Sequence, residues 1–160
     1  MRGAAAPMPI SVASPARSSA GLAAPLRAIV RAALATAGRR PGEIAVVLAD
    51  DARLRALNRR WRGLDRATDV LSFPLSERRG GPVDGDIVIS LERVAEQARR
   101  YRMPRGRELA RLAIHGTLHL AGLDHHTAPE RARMRRCEER ALRACAAPAR
   151  ALERGIAARA

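Results

Sequence analysis

The sequence contains no lysine: all 30 of its basic residues are arginine. Aromatic side chains are nearly absent, with a single phenylalanine, tryptophan and tyrosine, Phe73, Trp61 and Tyr101. Any core is therefore aliphatic, and 47% hydrophobic residues over 160 positions suffice for one domain with a real interior and fall short of two. The two cysteines, Cys137 and Cys145, read as members of one helix about 12 Å apart, too far for a disulfide. Reduced thiols of this kind are expected of a cytoplasmic chain. No apolar run approaches the roughly 18 residues of a membrane helix. The first segment is interrupted by Arg2, Pro7, Pro9, Pro15 and Arg17, which is not the pattern of a signal peptide, so no membrane partner is expected.

Acids are scarce as well: 16 against the 30 arginines, for a net charge of +14, and the first acid in the chain is Glu43. Part of the arginine and alanine excess reflects coding bias in a GC-rich genome. The field that remains still favours a polyanion, of which nucleic acid is the commonest. The acid-free start also has the composition of a transit peptide, although a disordered leader in an arginine-rich proteome has it too.

Against these shortages stands one concentration. All four histidines lie between His115 and His126, in the run Ile114-His-Gly-Thr-Leu-His119-Leu-Ala-Gly122-Leu-Asp-His125-His126. His115 and His119 are four apart, so on a helix they share a face about 6 Å apart along the axis. Gly122 can end that helix in a left-handed cap and let the chain double back to bring in His125. Three neutral imidazoles with a fourth position open to water form a catalytic zinc arrangement, so His115, His119 and His125 are the candidate ligands of one Zn2+. His126 could replace His125, but the Gly-x-x-His spacing favours His125. Asp124 and Asp86 are candidates to orient an imidazole from behind. The frame His-x3-His-x2-Gly-x2-His is also that of the metzincin peptidases, yet their general-base glutamate is Gly116 here, which removes the group that moves the proton in peptide hydrolysis.

Periodicity places the remaining elements. Residues 1–20 carry no period and are expected to form a disordered leader. Leu22, Leu26, Ile29, Ala33 and Leu34 mark a helix closed at Gly38; Glu43 to Ala49 reads as a buried strand. Asp50 caps a helix with Leu54, Leu57 and Trp61 on one face, and Gly63 to Thr68 is a polar loop. Asp69 to Phe73 reads as a strand stopped by Pro74, Glu77 to Gly85 as a hairpin loop, and Asp86 to Ser90 as another strand. Ser90 caps the next helix, Pro104 opens the histidine helix, and Thr127-Ala-Pro-Glu130 is a capping box for a helix through Cys145. The sum is an α+β fold: a single domain over residues 21–147, a small mixed β-sheet packed with helices, with the zinc site at the end of a central helix. Residues 148–160 are expected to be a flexible tail.

The loop before Val70 has more than a connection needs. Arg59, Arg60, Arg62 and Arg66 surround Trp61, and Thr68-Asp69 follows at a strand entrance. Arginines hold phosphates bidentately and a tryptophan stacks on a base, which suits single-stranded nucleic acid. A solvated helix end in an arginine-rich chain would look the same by composition.

Three segments in order, Arg62-Gly63-x-Asp65-x-x-Thr68-Asp69-Val-Leu-Ser-Phe-Pro74, Gly85-Asp86-Ile-Val-Ile-Ser90 and His115-Gly-x-Leu-His119-Leu-x-Gly122-x-Asp-His125, closely resemble the bacterial rRNA maturation endoribonucleases of the YbeY type, from about Glu43 to Cys145. The resemblance implies a zinc-dependent, single-strand-specific endoribonuclease acting on ribosomal RNA, notably at the 3′ end of the small-subunit RNA, and in ribosome quality control with ribosomal subunits as partners; no DNA partner is expected. It implies that His115, His119 and His125 hold the metal and that Arg62 is important for activity. Arg62 and His115 are thus the candidate catalytic residues, and the loop chemistry makes Arg59, Arg60, Trp61 and Arg66 the candidate substrate contacts. Trp61 stands where family members usually have tyrosine, Arg66-Ala67 where they commonly have Lys-Pro, and Arg111 where a histidine is often found.

RNA hydrolysis suits a site without the glutamate, because a phosphodiester brings its own 2′-hydroxyl and a metal hydroxide can attack without a carboxylate base. The residues leave open which of the two is the nucleophile. Two other classes are compatible with the sequence: a small metallopeptidase, which Gly116 argues against, and a non-catalytic ribosome-associated protein with structural zinc and an rRNA-binding arginine surface.

Overall fold

A computed structural model describes residues 10–14, 18–75 and 80–159. Four strands form one mixed sheet in the order β1-β2-β4-β3, made of β1 (Ser11–Ala13), β2 (Pro41–Ala49), β3 (Val70–Pro74) and β4 (Val83–Ser90). β1 and β4 both run parallel to β2, while β3 runs antiparallel to β4, so Ile87 is flanked by Val46 on one side and Ser72 on the other. Pro74 ends β3 on an edge strand, where a missing N–H costs no ladder bond.

Six helices are found among the described residues: α1 (Ala23–Thr36), α2 (Asp51–Arg62), α3 (Leu91–Arg100), α4 (Arg105–Leu120), α5 (Ala128–Ala144) and α6 (Ala146–Ala157). Their starts follow local chemistry. The Asp50 side chain accepts from Arg53 N–H at 2.8 Å, Ser90 Oγ from Arg93 N–H at 3.2 Å, and Thr127 with Glu130 closes a capping box. Each cap satisfies donors that the first helical turn leaves without partners.

α4 is the central element. It packs on α1, α5, α6 and on strands β3 and β4, and Leu109, Leu112, Ile114 and Leu118 are almost wholly buried. Each such side chain contributes about 1.5–3 kcal/mol on removal from water. Ile87 and Ile89 of β4 face this core, whereas Val88 points to the other side, where Leu54 and Leu57 of α2 meet Leu71 and Phe73 of β3. Cover on both faces explains why Ile87-Val88-Ile89 is continuously apolar and not alternating.

Two expectations about the chain ends are corrected. Within residues 1–20, expected to be a disordered leader, Ser11–Ala13 form β1 and Ile10 is 1% exposed; the apolar alternation of Ile10 and Val12 is too short to stand out as a strand by itself. Residues 148–160, expected to be a flexible tail, belong mainly to α6, whose Leu152 is fully buried. Glu153 of α6 accepts from Gly106 N–H at 2.6 Å, giving α4 the N-terminal cap that Pro104 does not provide. The expected loop at Glu77 to Gly85 falls partly on residues 76–79, outside the described residues, and β4 begins within it at Val83. Among the described residues no helix is long and apolar enough to cross a membrane.

Candidate metal centre and its cleft

The histidine cluster is made by the way α4 ends. His115 and His119 project from its last turns, and Gly122 then takes φ 92°. Gly122 N–H donates to His119 O and Leu123 N–H to Leu118 O, both at 3.0 Å. These are the paired bonds of a Schellman termination, accompanied by burial of Leu123. The chain reverses, Asp124 accepts from its neighbour's His125 N–H at 2.8 Å, and His125 comes to rest beside the helix it has just left.

The ring centroids of His115 and His119 are 4.6 Å apart, those of His119 and His125 5.2 Å, and those of His115 and His125 6.2 Å. Nε2 of His115 lies 3.1 Å from Nε2 of His119. Two nitrogens bound to one tetrahedral zinc at the usual bond lengths are about 3.3 Å apart, so this pair fits such an ion with little adjustment. Nδ1 of His115 is 2.6 Å from Oε1 of Glu138 on α5; that bond holds the proton on Nδ1 and turns the lone pair of Nε2 toward His119. Burial, and after it the neighbouring His115 and His125, holds the His119 imidazole below its usual pKa, which favours the neutral, ligating form. His119, Asp124 and His125 offer one ligand atom each within 4.8 Å of one another and could hold a metal ion. Asp124 was expected only as an orienting residue; its carboxylate stands among the possible ligands and reaches His126 Nε2 at 3.0 Å.

The cluster opens into a cleft of about 510 Å3 whose other wall is the β3 side of the sheet, with Arg62, Thr68, Asp69 and Ser72 facing His115, His119 and His125. Gly116 makes that wall possible. A Cβ there would come within 2.8 Å of Ile87 Cγ2 and 3.1 Å of Val70 Cγ2, so only glycine lets the helix lie this close to β3 and β4, and Ser72 Oγ donates to Gly116 O at 2.8 Å. Asp69 accepts from Val70 N–H at 2.8 Å and from Gln97 Nε2 at 3.2 Å. Behind it the fully buried Glu108 pairs with Arg111 at 2.6 Å, which raises the arginine's pKa further. Arg111, standing at the position often held by a histidine, therefore acts as a charge partner within the helix.

Arg62 is the last residue of α2 and reaches the cleft because the following loop is tied back. Gly63 takes φ 68°, Asn58 Nδ2 donates to Arg66 O at 3.0 Å, and Arg55 clasps Asp65 in a two-toothed pair at 2.8 and 3.2 Å. The glycine and aspartate of the Arg-Gly-x-Asp motif thus serve to aim the arginine. Arg59, Arg60, Trp61 and Arg66 are exposed and are not among the residues lining the cleft; the Arg60 guanidinium lies 5.1 Å from the centroid of the Trp61 ring, which is 62% exposed. Asp86 does not line the cleft either. Glu138 was missed in the sequence, since nothing local marks one glutamate of an arginine-rich helix as the partner of a histidine 23 residues earlier.

A histidine cluster at the end of a central helix, facing an arginine across a cleft beside a mixed sheet, defines a small α+β domain with an open, metal-type site. The family model "Endoribonuclease YbeY" matches residues 16–146. The chain is 51% identical over 136 residues to the endoribonuclease YbeY of Anaeromyxobacter sp. (strain Fw109-5), covering 84% of this chain and 71% of that protein. It is 46% identical over 120 residues to that of Desulfitobacterium hafniense (strain Y51), covering 69% and 76%. The solution structure of a Thermotoga maritima protein superposes with a TM-score of 0.55 at 30% identity, over 82% of this chain and 88% of that one. The chain belongs to the endoribonuclease YbeY family.

Proposed function

We propose that this protein is a zinc-dependent endoribonuclease that cuts single-stranded RNA in the cytoplasm, acting in maturation of the small-subunit rRNA 3′ end and in quality control of ribosomal subunits. The reading rests on the family, whose relatives are named endoribonucleases. The single observation that carries it is the cleft in which His115, His119 and His125 face Arg62.

In this reading His115, His119 and His125 hold one zinc, with Asp124 close enough to join them or to orient His125 and His126. Bound zinc supplies a water of lowered pKa and polarises a phosphoryl oxygen. Arg62 neutralises the charge that builds on the scissile phosphate, where a planar guanidinium can make two parallel hydrogen bonds. Glu138 keeps His115 in the ligating tautomer. Trp61, stacked with Arg60 on the exposed end of α2, offers a flat surface to a base outside the cleft, with Arg59 and Arg66 beside it. Peptidase chemistry is disfavoured by Gly116, because a glutamate side chain at that position would run into Ile87 and Val70.

The test couples zinc analysis to cleavage of a precursor small-subunit rRNA. The wild-type chain is expected to bind one zinc and cut the RNA. His119→Ala loses both together, and Arg62→Glu keeps zinc while losing cleavage. Full cleavage by zinc-free protein, or unchanged turnover by Arg62→Glu, would overturn the assignment. Product ends bearing a 2′,3′-cyclic phosphate would identify the substrate's own hydroxyl as nucleophile.

A further inference from the structure

We propose that the histidine cleft continues past His115 and His125 into a second phosphate subsite, formed by Arg131 and Arg135 of α5, which grips the RNA backbone on the side of the scissile bond away from Arg62. The proposal rests on the endoribonuclease reading above and extends it to the path of the strand.

A hollow of about 330 Å3 is lined by His115, His125, Arg131, Met134, Arg135 and Glu138. It shares His115 and His125 with the larger cleft that contains Arg62, so one extended chain passing over the imidazoles lies in both. Arg131 and Arg135 are four residues apart and project from the same face of α5, which is pinned to the core by the buried Met134 between them. Arg131 Nη1 donates to His126 O at 3.2 Å. That contact draws one guanidinium toward the turn bearing His125 and uses one of its five donors.

The charge on this face is not cancelled locally. α5 has six arginines and three glutamates. Glu130 is engaged in the capping box with Thr127, and Glu138 holds Nδ1 of His115. Glu138, the carboxylate that lines the hollow beside the two arginines, is thus already committed to the histidine site, and both arginines are exposed. Two planar cations beside a reacting phosphodiester suit the next phosphates of the same strand, each of which can be held bidentately. Because the hollow opens directly onto the imidazoles, its natural occupant is the flanking part of whatever lies across them.

Binding is read by fluorescence anisotropy of a fluorescein-labelled single-stranded oligoribonucleotide on the zinc-loaded full chain, over a series of salt concentrations, with KM and kcat measured on the same RNA. The Arg131→Ala/Arg135→Ala double variant is expected to weaken binding roughly tenfold at low salt. Its log–log salt slope should flatten by about 1.4, at some 0.7 per lost single-strand phosphate contact. KM rises while kcat and zinc content stay close to wild type, whereas Arg62→Glu depresses kcat. A double variant with wild-type salt slope and KM overturns the subsite and leaves the endoribonuclease reading intact. A wild-type chain that binds RNA with the steeper slope but never cuts it overturns that reading and leaves the subsite standing. Should the double variant lose zinc or helix content, Arg135→Ala alone, which breaks no capping contact, must flatten the slope by about 0.7 for the proposal to survive.

Discussion

Oε1 of Glu138 lies 2.6 Å from Nδ1 of His115, joining two helices through one hydrogen bond behind the candidate metal centre. A carboxylate in this position fixes the ring's orientation and makes its other nitrogen a better ligand. Glu138→Ala is therefore expected to weaken zinc binding about 10- to 100-fold with the fold retained. Glu138→Gln, which keeps an acceptor and loses the charge, should fall between the two. Competition against a chromophoric chelator checks both; equal affinities for all three proteins would show that the bond does not support the site.

Gly116 meets the sheet where an added Cβ would force its neighbours to shift. The Cβ of Gly116→Ala would press on Ile87, Val70 and Ser72, with 2.8 Å to the nearest atom, and overpacking of this kind costs about 1–3 kcal/mol. Thermal unfolding should show a lower midpoint, accompanied by weaker zinc binding because β3 and α4 form opposite walls of the cleft. An unchanged midpoint would mean that the helix moves away from the sheet freely.

What the sequence made legible was mostly what it encodes locally. His115, His119, Gly122 and His125 fall within one helix end: helical geometry aligns the first two, and the left-handed glycine turns the chain for His125. The caps at Asp50, Ser90 and Thr127 are likewise settled by three or four neighbouring residues. Contacts between distant segments left no such trace. Glu138 looks like any other acid of α5, and α6 hides its buried Leu152 and Gly155 among alanines and arginines that show no clear period. β1 is only three residues long and exists because β2 is there to receive it. Thr68, Asp69 and Ser72 could be placed near a strand, but that they face the histidines depends on β3 lying antiparallel to β4 beneath α4, a tertiary arrangement.

Helix α6 should be a structural part of the domain. Leu152 is fully buried, and Glu153 caps α4, which bears the histidines. Leu152→Ala is expected to cost about 2–5 kcal/mol, measured by denaturant unfolding, and removal of the helix should lower zinc affinity as well as stability. A truncated chain as stable as the full one would return residues 148–160 to the status of a tail.

The clasp between Arg55 and Asp65 predicts a loss of cleavage without loss of metal. The pair is exposed, so its use is not general stabilisation; it shapes the loop after Arg62. Asp65→Asn should keep zinc content and melting temperature while lowering cleavage roughly 10- to 100-fold, as small misplacements of a reacting group do. Arg55→Ala should have the same effect. In the double variant the two losses should not add, since each already frees the same loop. The carboxylate's own titration gives an independent check. The hydrogen bond from Arg55, and then its charge, lowers the Asp65 pKa. A depressed folded value means that the clasp is fully formed above the ordinary aspartate range and is lost only as pH falls through the depressed one. Carbon chemical shifts of the Asp65 carboxyl should therefore titrate below the ordinary value in the wild type and return to it in Arg55→Ala. Additive activity losses, or a normal titration in the wild type, would detach the loop from the aim of Arg62.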